Sequence, residues 1–283
     1  MTLIMGAVAY DPKVVTIWGG FRSWLRTHDL PFDFLLYGNY EHQVEDLVEG
    51  RIHAAWNSPL AWIRASRLAA AQGQSVSALV MRDTDRDLRS VIVVRNDSPY
   101  SNISDLKGET IAVGAVDSPQ ATLIPCSHLQ AHGLVAGEDY TLQRFDVGVG
   151  LHGDHIGGER DAARALISGQ AAAACMIDSN HLLFSREGTL PTGSTRVLSH
   201  TGTYDHCNMT IGASAPAELV QRFGQLLLSM SYTDPVVRPL LDMEGLTAWH
   251  EGRTTGYALL DAAVDETGFY DKQGAVTAHD YQP

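Results

Sequence analysis

The sequence predicts an α/β protein of two lobes, with mixed, mostly parallel sheets flanked by helices and a small-molecule cleft between the lobes. Strand-like and helix-like segments alternate along most of the 283 residues, which favours parallel strands covered by helices. The chain is longer than the roughly 100–200 residues usual for one domain. Hydrophobic residues make up 45% and charged residues 19%, as in ordinary globular proteins.

The first quarter of the chain alternates regularly between the two kinds of segment. Short apolar runs predict strands, and apolar residues at helical spacing predict helices. Gly50 suits the end of one helix, and Asn57-Ser58-Pro59 can end a strand and cap the next helix. The predicted strands are 3–9, 32–37 and 52–56, and the predicted helices are 14–25, 41–49 and 60–71.

The rest of the chain continues the alternation. The polar stretch 82–89 separates two strand-like runs and is a candidate crossover between lobes. Strands at 196–199 and 208–211 are expected to return to the first lobe, and the C-terminal tail is expected to lie on the surface. Further predicted strands are 76–81, 90–94, 110–113, 140–145 and 171–176, and further helices are 120–130, 159–168, 216–230, 235–240 and 257–265.

Composition excludes several classes of partner. A net charge of −13 and scattered Lys and Arg residues argue against nucleic acid. No apolar run approaches the roughly 18 residues that cross a bilayer, so no membrane insertion is expected. The first ten residues show no export signal, which predicts a cytoplasmic protein, or a periplasmic one if a signal has been removed. Whether the chain forms a homodimer is left open.

Three stretches resemble the phosphate/phosphonate-type substrate-binding proteins of ABC transporters. They read VEDLVEGRIHAAWNSPLAWIRA, DLKGETIAVGAVDSPQATLIPCSHLQAHGL and ERDAARALISGQAAAACMID, and they occur in the family's order. The resemblance implies a type 2 periplasmic-binding-protein fold that closes by a hinge on a bound solute. It implies a first lobe of residues 1–85 and 195–283, a second lobe of residues 86–194, and hinges near 82–90 and 190–200.

The resemblance also implies a ligand-binding turn at residues 118–122. Hydroxyl, amide and backbone donors at the start of a helix favour an anion. Pro119 and Ala121 depart from the family's Ser/Thr-rich turn, which favours a planar carboxylate over a phosphonate. Turns after the strands are expected to converge on one cleft. The expected substrate-binding residues are Tyr10, Trp56, Asn57, Ser58, Ser118, Gln120, Thr122, Asp178, Tyr204 and Asp205.

A His-rich stretch, LHGDHIGGERD at 151–161, is not expected in the transporter-associated family that the chain resembles. His152 and His155 can exchange protons near neutral pH, with Asp154 or Glu159 as a carboxylate partner. Two alternatives stay open. The loop residues can simply cap a turn, or the two histidines can bind zinc, although their spacing lacks the helical geometry of stronger zinc motifs.

The cysteines give weaker signals. Three cysteines without a CxxC pair favour a reducing compartment. His206 precedes Cys207 in YDHCN at 204–208, but neighbours on an extended segment point to opposite faces, so His206 is not expected to activate that thiol. Cys126 lies near a helix start, where its pKa can fall, and Cys175 is expected in the core.

These features predict a cytoplasmic hydrolase or lyase that acts on a small anionic substrate, carboxylated and heterocyclic. Ring hydrolysis or desulfuration of an imidazolone-like acid is the example we favour. The catalytic candidates are His152, His155, His206, Asp154, Glu159 and Cys126. No cofactor is expected, because no GxGxxG joins a strand to a helix. The alternatives are a non-catalytic solute-binding protein of a phosphonate-type ABC importer and a cytoplasmic ligand sensor.

Overall fold

The computed structural model describes residues 1–283, which form two five-stranded sheets flanked by helices. The strands are β1 Leu3–Val8, β2 Phe32–Tyr37, β3 Ala54–Asn57, β4 Ser77–Ala78, β5 Val80–Arg82, β6 Ser90–Arg95, β7 Thr110–Val113, β8 Thr141–Arg144, β9 Ala173–Ile177, β10 Thr195–His200, β11 Asn208–Ile211 and β12 Trp249–Glu251. The helices are α1 Lys13–Thr27, α2 Tyr40–Val48, α3 Pro59–Ala71, α4 Ile124–Ala131, α5 Gly157–Ser168, α6 Asp178–Glu187, α7 Ala217–Ser229, α8 Arg238–Glu244 and α9 Ala258–Thr267.

The first sheet combines the two ends of the chain in the order β2-β1-β3-β11-β4. Strands β1, β2 and β3 are parallel, whereas β11 runs antiparallel to β3 and β4. Its core buries apolar residues of α1 and α7 against the strands, among them Trp18, Phe21 and Phe223. This sheet with its helices is called the first lobe below.

The second sheet is formed by the middle of the chain in the order β10-β6-β9-β7-β8. Strands β7, β8 and β9 are parallel, and β6 runs antiparallel to both β9 and β10. Small residues on α5, such as Ala162 and Ala163, are buried against this sheet, which lets the helix approach the strands closely. This sheet with its helices is called the second lobe.

Strand β10 corrects one expectation. Residues 196–199 were predicted to return to the first lobe, but β10 pairs with β6 in the second sheet. Residues 195–200 therefore belong to the second sheet and not to the first. The sequence of a strand does not identify its neighbour in the sheet, because its apolar pattern shows which face is buried and not which strand lies beside it. The other lobe boundaries and the hinge positions stay predictions.

The C-terminal tail corrects a second expectation in part: most of its residues are exposed, but buried aromatic side chains anchor it to the protein. Tyr270 and Tyr281 are almost fully buried with Phe269 in an apolar cluster that includes residues of α3, α4 and α9. Arg144 of β8 forms an ion pair with Asp280 of the tail. The tail thus connects elements of both lobes, which its mostly polar sequence does not indicate.

Candidate functional site

A cavity of about 460 Å³ lies between the lobes. The segment after β5 forms one wall, and the 153–156 loop with the start of α6 forms the other. We regard it as the candidate site because it is lined by residues of the second lobe, such as Gln120 and Ile177, together with residues next to β5 and β11, such as Asp85 and His206. A groove of about 540 Å³ elsewhere lies between α3 and residues 254–272 alone. The residues that line the interlobe cavity are Arg82, Thr84, Asp85, Arg86, Leu88, Gln120, Gly153, Asp154, Ile156, Ile177, Ser179, Asn180 and His206.

His152 projects from the second lobe into the first beside this cavity. Its side chain is fully buried. Nδ1 lies 2.7 Å from the Ser58 hydroxyl, and Nε2 lies 2.9 Å from Oε1 of Glu41. The imidazole also stacks on the Tyr40 ring at a centroid distance of 4.7 Å. We call His152, Glu41 and Ser58 the interlobe clasp.

The glycine-rich loop gives His152 this position. His152 itself has a φ of +49°, and Gly150 and Gly153 flank it with φ values of +91° and +77°. Glycine adopts this region freely, and histidine does so more readily than most other residues. Asp117 holds the loop by accepting the backbone N–H groups of Gly150 at 2.7 Å and His152 at 3.1 Å. The backbone is therefore fixed in the conformation that inserts the imidazole between the lobes.

Glu41 is a buried carboxylate of the first lobe. Burial by itself raises its pKa, but the charge and hydrogen bond of His152 and the hydroxyl of Tyr270, which donates to Oε1 at 2.7 Å, outweigh burial and lower it to about 2. A buried carboxylate is stable only with partners of this kind. The negative charge of Glu41, in the first lobe, is therefore stabilised by His152 of the second lobe, and this interaction joins the two lobes.

Asp154 forms a second link between the lobes and also lines the cavity. The Tyr40 hydroxyl of α2 donates to its Oδ2 atom, while burial raises the pKa of this carboxyl group. Tyr10 lies close enough for Asp154 to act on it electrostatically, although burial is the main reason why the pKa of Tyr10 is raised. Tyr10 packs against the core of the first lobe and does not itself line the cavity.

The predicted anion-binding turn uses most of its side chains internally. Ser118 accepts the N–H of Ala121 at 3.2 Å, and the Thr122 hydroxyl donates to a backbone carbonyl at 2.7 Å. Gln120 donates through Nε2 to the carbonyl of Gly153 at 2.9 Å, while its Oε1 is buried without a partner. Of the three predicted ligands in this turn, only Gln120 lines the cavity.

Glu159 already supplies a carboxylate beside this turn. It accepts hydrogen bonds from the Gln120 amide at 3.2 Å, the Ile177 N–H at 3.1 Å and the Asn180 amide at 2.9 Å. Its pKa rises to about 7, because burial outweighs these three bonds. Donors of the second lobe that could hold an anionic solute are therefore engaged by the protein's own side chain.

The opposite wall is rich in charge. Arg82 donates to both carboxylate oxygens of Asp85, at 2.6 and 2.8 Å, and lies 3.4 Å from Glu244. Burial raises the pKa of Glu244 to about 7, although Arg82 opposes that shift. Arg86 has no carboxylate partner: it donates to the backbone carbonyl of Glu251, and its buried Nε has no hydrogen-bond partner. Arg86 is thus the cation of this wall that remains free to pair with a solute.

His206 and Cys207 correct a third expectation. Their side chains were expected to point to opposite faces, but Nδ1 of His206 lies 3.1 Å from Sγ of Cys207. Both residues precede β11, which begins at Asn208, so the alternation of a regular strand does not apply to them. Both are buried, and His206 also lines the cavity.

Several candidates lie away from the cavity. His155 is exposed, and its ring bonds only to the nearby N–H of Gly157. Cys126 packs with the core of the second lobe, and burial raises its pKa to about 11 rather than lowering it. Trp56 lies in the core of the first lobe beside Trp18 and does not line the cavity.

Four further candidates stabilise the fold around the cleft instead of lining it. Asn57 bonds to Gln43 and Thr210 within the first sheet. Asp178 accepts the N–H of the next residue. The Tyr204 hydroxyl lies 2.9 Å from that of Ser90. Asp205 forms a two-bond ion pair with Arg253.

The sequence did not single out Glu41, Asp85, Arg86 or Asn180. Each lies in a stretch typical of a solvated helix or loop. Glu41, Arg86 and Asn180 also bond to other segments of the chain, whereas Asp85 pairs locally with Arg82. One signal was available: the polar segment 82–89 was expected to cross between lobes, and crossover segments of a two-lobed protein border its cleft. Residues of that segment were therefore reasonable ligand candidates.

Comparison with known families gives an independent result. Residues 6–257 match the model of a family described as the periplasmic substrate-binding protein of phosphonate ABC transporters. The match spans most of the chain and includes both sheets. No helix of the protein combines the length and apolar character needed to cross a membrane.

Solved structures share the fold at low sequence identity. PhnD1 of Prochlorococcus marinus, in complex with methylphosphonate, is 16% identical with a TM-score of 0.70, over 94% of this chain and 98% of that one. A Xanthomonas citri protein bound to ATP is 18% identical with a TM-score of 0.70, over 94% and 97%. The aliphatic sulphonate binding protein SsuA of Escherichia coli is 16% identical with a TM-score of 0.52, over 93% and 82%. The two-lobed periplasmic-binding-protein fold is therefore confirmed.

Proposed function

Because this chain belongs to the periplasmic phosphonate substrate-binding protein family of ABC transporters, we propose that it binds a small solute between its lobes and presents it to an importer. The cavity of about 460 Å³ between the sheets has the size of a small-molecule site. Closure of two lobes on a solute is a common mechanism in proteins of this architecture. The proposal thus makes three claims: that the protein binds a solute, that it delivers this solute to an importer, and that transport is inward.

The expectation of a cytoplasmic hydrolase or lyase is wrong. The family match spans residues 6–257 and describes a periplasmic substrate-binding protein, which is the alternative that the sequence also suggested. The catalytic roles of His152, His155, His206, Asp154, Glu159 and Cys126 depended on that expectation and are not proposed again. Of these six residues, Asp154 and His206 line the cavity.

The observation that carries the proposal is the unpaired Arg86 guanidinium at the cavity wall. A guanidinium pairs with carboxylates and other oxyanions through a planar set of donors. On the opposite wall Asp154 and the free Oε1 of Gln120 can accept hydrogen bonds. The best match is a solute with an anionic group for Arg86 and a donor or cationic nitrogen for Asp154.

We expect Arg86→Met to weaken solute binding by about 10-fold or more, because a desolvated anion would lose its charged partner. Calorimetric titration can use acetate, β-alanine, methylphosphonate, ethanesulfonate and 2-aminoethylphosphonate as probes. Arg89→Met is the matched control, since Arg89 is exposed and outside the cavity lining. Equal affinity of wild type and Arg86→Met for the best probe would contradict the assignment, and steady conversion of a probe to product would contradict a binding function.

A further inference from the structure

Three metal-ligating side chains meet at the first-lobe wall of the cleft. One donor atom each from Asp85, His206 and Cys207 lies within 4.8 Å of the others, and all three residues are buried. The function proposed above uses none of these atoms as a group. Oxygen, nitrogen and sulfur donors of this kind are the ligands of Zn²⁺ and related transition-metal ions.

The distances suit a tetrahedral ion. Bonds of about 2.0 Å to nitrogen or oxygen and 2.3 Å to sulfur place neighbouring ligand atoms about 3.3–3.5 Å apart in a tetrahedral site with one sulfur. Nδ1 of His206 lies 3.1 Å from Sγ of Cys207 and 3.7 Å from Oδ1 of Asp85. Small side-chain rotations therefore bring the three atoms to coordination distance.

The surrounding charge favours a cation. Besides Asp85, the carboxyl groups of Asp154 and Glu244 lie close enough to act electrostatically on Cys207, and so does the guanidinium of Arg82. Among these neighbours the carboxyl groups outnumber the guanidinium groups, and their oxygen atoms would stabilise a divalent ion at short range.

Arg82 does not occupy the metal-binding capacity of Asp85. The guanidinium bonds to both oxygens of that carboxylate, but each oxygen has a second lone pair. Oδ1 is the atom that faces His206. Asp85 can therefore bind an ion and keep its pair with Arg82, which then holds the ligand in place.

The cluster also has an open side. Asp85 and His206 line the interlobe cavity, so three protein ligands leave a fourth position toward it. Structural zinc sites use four protein ligands, whereas sites that bind a further molecule keep one position free. An ion here would contact both the first lobe and the contents of the cleft.

We propose that Asp85, His206 and Cys207 bind a divalent transition-metal ion, with zinc as the best fit, and leave one coordination position open to the cleft. The assignment is independent of which solute the protein carries. It differs from the expectation of zinc at His152 and His155, because His152 bonds to Glu41 and Ser58 and His155 is exposed.

The test is titration of the chelator-treated, reduced full-length protein with Co²⁺ and Zn²⁺. We expect one ion per chain and, with Co²⁺, the near-ultraviolet charge-transfer band of a thiolate ligand. Cys207→Ser should abolish that band, and His206→Gln should weaken binding at least about 10-fold. Zn²⁺ should raise the unfolding temperature of the wild type and of neither variant.

Cys126→Ser is the matched control, because it removes a thiol from the other lobe and should leave the band unchanged. Circular dichroism establishes that each variant is folded before titration. A band that persists in Cys207→Ser, or weak binding that is equal in all four proteins, would overturn the proposal. Absence of stoichiometric binding to the folded wild type would overturn it as well.

Discussion

Glu41 and His152 are the pair of residues on which contact between the lobes most depends. Both are almost fully buried, and they lie on different lobes with Nε2 and Oε1 2.9 Å apart. Removal of one partner from a buried pair leaves the other without compensation, which typically costs about 3–5 kcal/mol. The other carboxylate oxygen of Glu41, Oε2, has no hydrogen-bond partner, so without His152 the carboxylate would depend on the hydrogen bond from Tyr270.

The depressed pKa of Glu41 predicts a loss of stability in acid. Its pKa is about 2 in the folded protein against an ordinary value of 4.5, so the unfolded chain binds the proton more readily. Stability from this group is complete above about pH 5 and is lost as the pH falls toward 2, by about 3 kcal/mol. Glu41→Gln should show a shallower decline over that range in urea unfolding followed by circular dichroism.

Glu45→Gln serves as the control for that measurement. Glu45 lies on the same helix and pairs with Arg64, but its side chain is 42% exposed, so this substitution should leave the acid-induced decline close to that of the wild type. Parallel pH curves for the wild type and Glu41→Gln would show that the clasp does not stabilise the protein through this charge.

Among the elements, α3 shows how local sequence and interlobe contact meet at one side chain. Ser58 precedes Pro59, and its hydroxyl accepts the N–H of Ala61 at 3.1 Å as the N-cap. The sequence predicted this cap from the Asn-Ser-Pro order. The same hydroxyl lies 2.7 Å from His152, which the local sequence does not indicate.

Ser58→Ala should therefore destabilise the protein more than loss of a cap alone. Loss of an N-cap costs about 1 kcal/mol, and the unpaired buried nitrogen of His152 adds about 1–3 kcal/mol. Asn39→Ala is the comparison, because Asn39 caps α2 by accepting the N–H of His42 and lies at the surface. Urea unfolding gives both values, and equal destabilisation by the two substitutions would contradict the double role of Ser58.

The elements also show what the sequence could and could not predict. Phe32–Tyr37 and Thr110–Val113 were predicted at their observed bounds, because apolar strands between polar turns give a local signal. Helix α6, which begins at Asp178, was missed, since its sequence has only one buried residue. The partner of β10 was also missed, because pairing across a sheet joins segments about 100 residues apart in the chain.

At the scale of the molecule, the fold was more predictable than the site. The order of three family-like stretches indicated the two-lobed fold. Gln120, Asp154 and His206 line one cavity, and their roles there stay predictions. The contact of Glu41 with His152 depends on the relative placement of the lobes, and the contact of Arg86 is with Glu251, 165 residues away; no short segment encodes either. Residues of the cleft that act through distant partners are for that reason the ones that sequence reasoning missed.

The clasp and the C-terminal tail hold the lobes in the arrangement observed here. Release of the clasp should therefore shift the protein toward a more open form. In the double variant Glu41→Gln, His152→Asn, neither member is left as an unpaired buried charge, and asparagine tolerates the positive φ of residue 152. We expect this variant to be more stable than the sum of the two single substitutions predicts, with a coupling of about 1–3 kcal/mol.

Small-angle X-ray scattering should detect the release of the clasp as a change in the shape of the protein. Without solute, the double variant should have a larger radius of gyration than the wild type, because loss of the clasp shifts the equilibrium from the closed form toward the open form. Arg22→Gln is the control, since Arg22 pairs with Asp33 on the surface of one lobe and should not affect opening. An unchanged radius of gyration together with additive destabilisation would mean that the tail and the apolar contacts alone keep the lobes together.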